Sequence, residues 1–266
     1  PVVSLPNADQ VKRALENCEF VVVSDICLDT DTTQYADVLL PALGWGEKDG
    51  TVTNSERRIS RQRAFLDIPE QAQADWWSVS QVAKKLGFQG FDFESSHDIF
   101  KEHAQLSAYQ NAEIALRSST ETFRYFNLAG LTNLSFDDYQ ELEPTQWPVL
   151  VPLKNGQTKP NTFAQLFKEG QFSHADGKAK FIATTAIDPV NQVSSEYPLI
   201  LNTGRIRDQW HTMSRTGLSA NLSTHRAEPY CEIHPNDALK YGIQDGELVE
   251  VRSEWGQCIL RAQVSD

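Results

Sequence analysis

Phe20 to Val23 is an unbroken apolar run, FVVV, that stops abruptly at Ser24 and Asp25. A run without polar alternation suits a strand covered on both faces, which is the pattern of a buried parallel sheet. Upstream, Asp9 to Cys18 sets Val11, Ala14, Leu15 and Cys18 at helical spacing. Downstream, Asp31 to Asp37 reads as a turn or short helix. A second strand, Val38 to Leu40, is stopped by Pro41, whose nitrogen has no hydrogen to donate. Helix, strand, connection and strand in this order predict an α/β region. In open α/β sheets ligands bind beyond the carboxyl ends of the strands, which makes Asp25 a candidate contact. Capping of the following turn is the alternative role for it.

Further along, Asp75 suits the N-cap of a helix running to about Leu86 and ended by Gly87, and a second helix spans about Asp98 to Tyr109. From there to about Pro189, Pro144, Pro148, Pro152 and Pro160 interrupt short apolar pieces, giving irregular α/β structure. Beyond Tyr197 the pattern turns to strands at Pro198 to Leu201, Tyr230 to Ile233, Glu247 to Arg252 and Cys258 to Val264. A short helix, Pro235 to Tyr241, interrupts them with proline in its first turn, and Gly242, Gly246 and Gly256 supply turns. This predicts a small β-barrel or sandwich. Three domains are expected: a partial, Rossmann-like α/β domain over 1–90, a mixed α/β connecting region over 91–190, and a β-barrel over 191–266.

With 266 residues, 40% of them apolar, the chain can bury a sizeable core. Its formal charge of −12 argues against nucleic acid, which wants a clustered basic surface. The basic residues Arg57, Arg58, Arg61 and Arg63 alternate over SERRISRQR, which suits a strand edge or an ion-pair network. No apolar run reaches membrane-spanning length, so no membrane partner is expected. Cys18, Cys27, Cys231 and Cys258 form no CxxC pair and fit neither an iron–sulfur run nor a zinc ribbon. Scattered buried thiols in a reducing cytoplasm are the expectation. The chain begins at Pro1 without a signal-peptide pattern, which suggests truncation or processing.

The densest chemistry lies in LNTGRIRDQWHTMSRT, Leu201 to Thr216. Thr203, Gly204, Arg205, Arg207, Trp210, His211, Thr212, Ser214 and Arg215 crowd a loop in a way that no core requires. Glycine admits close backbone approach, and arginine matches planar oxyanions such as phosphate. His211 suits either a ligand contact or a structural hydrogen bond, and Trp210 either a contact or a wedge against the barrel. The second concentration is Phe20 to Arg58, with Ser24-Asp25, ADVLLP, Glu47-Lys48-Asp49-Gly50-Thr51 and Thr53-Asn54-Ser55-Glu56-Arg57-Arg58, followed by Ala74-Asp75-Trp76.

Together these segments resemble the molybdopterin oxidoreductases that carry a molybdenum bis(molybdopterin guanine dinucleotide) cofactor, on the assimilatory nitrate reductase branch. The resemblance implies that Ser24, Asp25, Lys48 and Asp75 contact the dinucleotide. It implies a second contact loop in Thr203, Gly204, Arg205, Trp210, His211 and Thr212. One carboxylate can accept both the N1–H and the N2 amine of guanine, and lysine or arginine suits pyrophosphate. Without the resemblance, Lys48 reads as an exposed turn lysine and Asp75 as a helix cap only.

The implied reaction is reduction of nitrate to nitrite, fed by an electron-donor protein or domain through a 4Fe–4S cluster. No cysteine here matches the metal-ligating or cluster-binding positions, so catalytic and metal residues are expected outside this chain. The chain alone is expected to be inactive. A formate dehydrogenase of the same superfamily, or a non-catalytic electron-transfer or assembly subunit that kept the fold, are the alternatives.

Overall fold

The computed structural model describes residues 1–111, 124–150 and 174–266, with 166, 167, 170 and 172. In chain order the regular elements are α1 (Ala8–Glu16), β1 (Val22–Asp25), β2 (Val38–Pro41), β3 (Gly50–Thr53), β4 (Arg58–Gln62), α2 (Asp75–Lys85), α3 (Ser96–Ala108), α4 (Phe136–Gln140), β5 (Thr145–Gln146), β6 (Tyr230–Ile233), α5 (Pro235–Tyr241), β7 (Leu248–Arg252) and β8 (Gln257–Val264). They form two compact units. One comprises Cys18–Leu28 and Thr33–Ala183, the other Pro1–Asn17, Asp29–Thr32 and Thr184–Asp266.

In the first unit β1 and β2 pair in parallel, Val22 opposite Val38 and Asp25 opposite Pro41, as the apolar runs predict. A 3-10 turn at Thr33–Tyr35 makes the connection. The pair is not the buried sheet expected, nor is a Rossmann-like sheet present among the described residues: Val22 remains 49% exposed. A parallel strand is covered only when further strands and crossover helices flank it. The second sheet is antiparallel, ordered β3-β4-β5. Its hairpin turn is built by Asn54, whose side-chain oxygen accepts the backbone N–H groups of Glu56 and Arg58 at 3.1 and 3.0 Å.

The core of this unit forms where β4, α3 and residues 126–149 meet. Ile59, Phe100, Ala104, Leu128, Leu131, Leu134, Tyr139, Leu142 and Val149 pack there, with Phe126 and Trp147 against them. α3 starts with a capping box: the Ser95 hydroxyl accepts the Asp98 N–H while the Asp98 carboxylate accepts the Ser95 N–H. Gly87, at φ 86°, ends α2 in a left-handed conformation that favours glycine. Proline positions 152 and 160, expected to break structure, lie outside the described residues.

In the other unit β8 is central, parallel to β6 and antiparallel to β7. The expected barrel is not there: among the described residues this sheet has three strands and does not close. Pro198 to Leu201, expected as a strand, is irregular, and its Ile200 is largely exposed. A strand exists only through pairing, and this segment meets no ladder partner among the described residues. α5 carries Pro235 in its first turn and ends at Gly242, φ 67°. No disulfide joins the four cysteines, and they are not buried as expected: Cys18 and Cys258 are exposed, Cys27 and Cys231 half-buried.

Candidate functional site

Three of the residues singled out in the sequence converge in the first unit. Ser24 stands at the carboxyl end of β1, Lys48 just before β3, and Asp75 in the first turn of α2. The Ser24 hydroxyl donates to Asp75 Oδ1 at 3.1 Å, and Lys48 Nζ lies 3.8 Å from Asp75 Oδ2. Backbone pairing explains the convergence. The chain leaving β2 meets the chain entering α2, with Gln73 N donating to Pro41 O at 3.0 Å and Leu43 N to Gln73 O at 3.2 Å. That pairing sets the start of α2 beside the end of the β1–β2 pair.

Asp75 is not the N-cap expected. Ala74 holds the cap position without a side-chain bond, and Asp75 is the first helical residue. Its carboxylate complements the positive end of the helix dipole while reaching out to Ser24 and Lys48. Asp25, next to Ser24, accepts the backbone N–H of Cys27 at 3.1 Å, the turn-capping role set beside binding in the sequence. Lys48 follows a tight turn in which Glu47 Oε2 accepts the Gly44 N–H at 2.7 Å. A hollow of about 500 Å³ along α3, with Phe93, Asp98, Lys101, Glu102 and Leu106 in its wall, includes none of these residues.

The loop of the other unit is exposed over Thr203, Gly204 and Arg205. Arg207 grips Asp208 with two bonds of 2.9 and 3.0 Å, and His225 Nδ1 lies 3.2 Å from the same carboxylate. The Arg207 guanidinium holds the Asp208 carboxyl below its ordinary range. Thr216 ties the loop across, its hydroxyl accepting the Trp210 N–H at 3.1 Å and donating to Gln209 at 2.7 Å. His211 and Met213 adopt left-handed backbone, φ 47° and 62°, which costs free energy in residues other than glycine. Trp210 is 66% exposed and lies edge-on to His211, centroids 4.2 Å apart. Among the described residues no closed barrel stands behind the loop for Trp210 to wedge against.

Sequence reasoning missed Asp49 and Arg61 as partners. Arg61 faces inward from β4 with Ile59, two residues earlier, and its guanidinium pairs with Asp49 at 2.9 Å. The alternation in SERRISRQR was the available signal, and the ion-pair network it suggests is present in Arg61–Asp49 and Arg58–Glu56.

The chain belongs to the molybdopterin oxidoreductase family. Residues 1–85 match the molybdopterin oxidoreductase family and residues 199–266 the molydopterin dinucleotide binding domain. It is 44% identical over its whole length to a nitrate reductase of Klebsiella oxytoca, of which it spans 28%. It is 32% identical, again over its whole length, to the F420-dependent formate dehydrogenase subunit alpha of Methanocaldococcus jannaschii, of which it spans 35%. In fold it is similar to the acetylene hydratase of Pelobacter acetylenicus, with a TM-score of 0.57 at 16% identity over 97% of this chain and 33% of that one.

Proposed function

We propose that this chain provides guanine dinucleotide contacts for a molybdenum bis(molybdopterin guanine dinucleotide) cofactor in a nitrate reductase. The observation that carries the proposal is the exposed Asp75 carboxylate, gathered with Ser24 and Lys48 at the end of a parallel strand pair. The donor set fits the group. A carboxylate matches the paired N–H donors of guanine, and an ammonium beside a helix start suits pyrophosphate. Asp75 and Asp25 are assigned to the base, Lys48 and Ser24 to the phosphates or ribose. Thr203, Gly204, Arg205, Trp210, His211 and Thr212 form the second contact loop. Dividing the chain near residues 90 and 190 belongs to the same reading, supported by family matches that end at 85 and begin at 199.

The bound molybdenum group would supply oxygen-atom transfer, converting nitrate with two electrons and two protons into nitrite and water. The residues of this chain do none of that bond chemistry; they hold and orient the dinucleotide and balance its charge. A 4Fe–4S cluster and its electron donor would find their ligands outside this chain, in a cytoplasmic enzyme. The identity of 44% to a nitrate reductase favours nitrate. Formate oxidation is the second reading, supported by 32% identity to the formate dehydrogenase subunit.

Asp75→Asn in the full-length protein tests the assignment. Losing a charge-assisted contact costs roughly 2–3 kcal/mol, which weakens cofactor retention by about thirtyfold or more. Molybdenum and guanine nucleotide per polypeptide should fall together, with nitrite formed per molybdenum preserved. Full molybdenum content with a collapsed rate would place Asp75 in the chemistry instead. Formate oxidation without nitrite production would select the second reading.

A further inference from the structure

Arg61 is a charged residue in a place where an apolar one would serve packing better. Its side chain is 1% exposed, and its guanidinium lies over the Tyr139 ring, 3.9 Å from the centroid. Burying a charge costs several kcal/mol per ion unless it is paired and hydrogen-bonded. Arg61 does not reach full satisfaction even so, because its Nε has no partner among the described residues. Replacing such an ion pair by apolar residues is often neutral or stabilising, so stability alone is a poor reason for it.

Most of its hydrogen bonds fall on one short segment, Asp49 and Gly50. Nη2 donates to both carboxylate oxygens of Asp49, at 3.1 and 2.9 Å, and to Gln140 Oε1 at 3.0 Å, while Nη1 donates to the carbonyl of Gly50. Asp49 receives a further bond from the Ser96 hydroxyl. The two residues directly after Lys48 are thus gripped from β4 and α3, with Gln140 of α4 holding the Arg61 guanidinium itself. Directly before Lys48, Glu47 is locked to Gly44. Lys48 stands between two fixed points, with its own ammonium left partly exposed at Asp75.

We propose that Arg61, acting through Asp49 and Ser96, is the positioning residue that sets where the Lys48 ammonium stands beside Asp75. The role rests on the reading of Lys48 as a dinucleotide contact. Arg61 is buried and touches no ligand; it removes the freedom of the segment that carries Lys48, so that less ordering is left for binding to supply.

A double-mutant cycle in the full-length protein tests this. Guanine nucleotide and molybdenum retained per polypeptide after gel filtration are measured for Asp49→Asn, for Lys48→Met and for the two combined. Asp49→Asn should lower retention about tenfold, equivalent to about 1.4 kcal/mol, and should cause no further loss once Lys48 is Met. Ser96→Ala, which removes one donor to Asp49, should show a smaller loss with the same dependence on Lys48, should Asp49→Asn fail to fold. An equal fold-loss in both backgrounds would make the network a staple of the fold and overturn the positioning role. Undiminished retention in Lys48→Met would overturn the reading of Lys48, and the positioning role with it.

Discussion

Asp25 illustrates how one carboxylate holds two assignments until the geometry separates them. One of its oxygens accepts the Cys27 N–H, so part of its work is to shape the turn leaving β1. Asparagine retains an oxygen for that bond but not the charge. Asp25→Asn should therefore preserve the turn and the thermal stability while weakening cofactor retention, and Asp25→Ala should lose both. Retention and melting temperature measured in the two variants check this; equal retention in wild type and Asp25→Asn would leave Asp25 as a turn former only. Asp75 differs, since its carboxylate bonds to Ser24 and pairs with Lys48 and makes no cap bond to its own helix. Residue type made all three polar positions visible in the sequence. Their meeting depends on the pairing of Pro41 and Leu43 with Gln73, which no local pattern announces.

At the scale of elements, the helices were the most legible because their signals are local. α3 was expected from about Asp98, and it begins two residues earlier because the Ser95–Asp98 box sets its start. The Ser95 hydroxyl is the main reason the Asp98 carboxyl is held below its ordinary range. A carboxylate depressed in the folded state contributes stability that is complete above the ordinary carboxylate range. That contribution disappears as the pH falls through the lowered folded value. Ser95→Ala should cost about 1 kcal/mol at neutral pH, and the gap to wild type should narrow in acid, where Asp98 is protonated in both proteins. Urea unfolding followed by helical circular dichroism at the two pH values checks the sign as well as the size. Strands β6 and β8 and helix α5 were likewise read close to their observed limits. Pro198 to Leu201 was not, since apolar content permits a strand but only a neighbour's backbone makes one.

The molecule as a whole distributes its apolar core unevenly. Leu128, Leu131 and Tyr139 are fully buried in the first unit, whereas the other buries chiefly Val2, Ala238 and Ala262 and leaves Val190 98% exposed. Leu131→Ala should thus cost roughly 2–5 kcal/mol, appearing as a lower urea midpoint for the first unit. A loss below about 1 kcal/mol would show that the site collapses around the smaller side chain. Within the second contact loop Arg207 and Asp208 bond to each other, and Thr216 beyond it ties Gln209 and Trp210, so these groups are engaged in holding the loop itself.

The amino-acid sequence by itself determined the kinds of elements, their order and the family, because periodicity, caps and turn residues act within a few positions of one another. It also marked Ser24, Asp25, Lys48, Asp75 and the Thr203 to Thr212 loop as chemically loaded. The tertiary structure alone decided that Ser24, Lys48 and Asp75 form one cluster, that Arg61 lies inside, paired with Asp49, and that the sheet of β6, β7 and β8 stays open among the described residues. Those outcomes depend on which distant segments pair and which charges are buried together, and such non-local free energies leave no periodic trace along the chain.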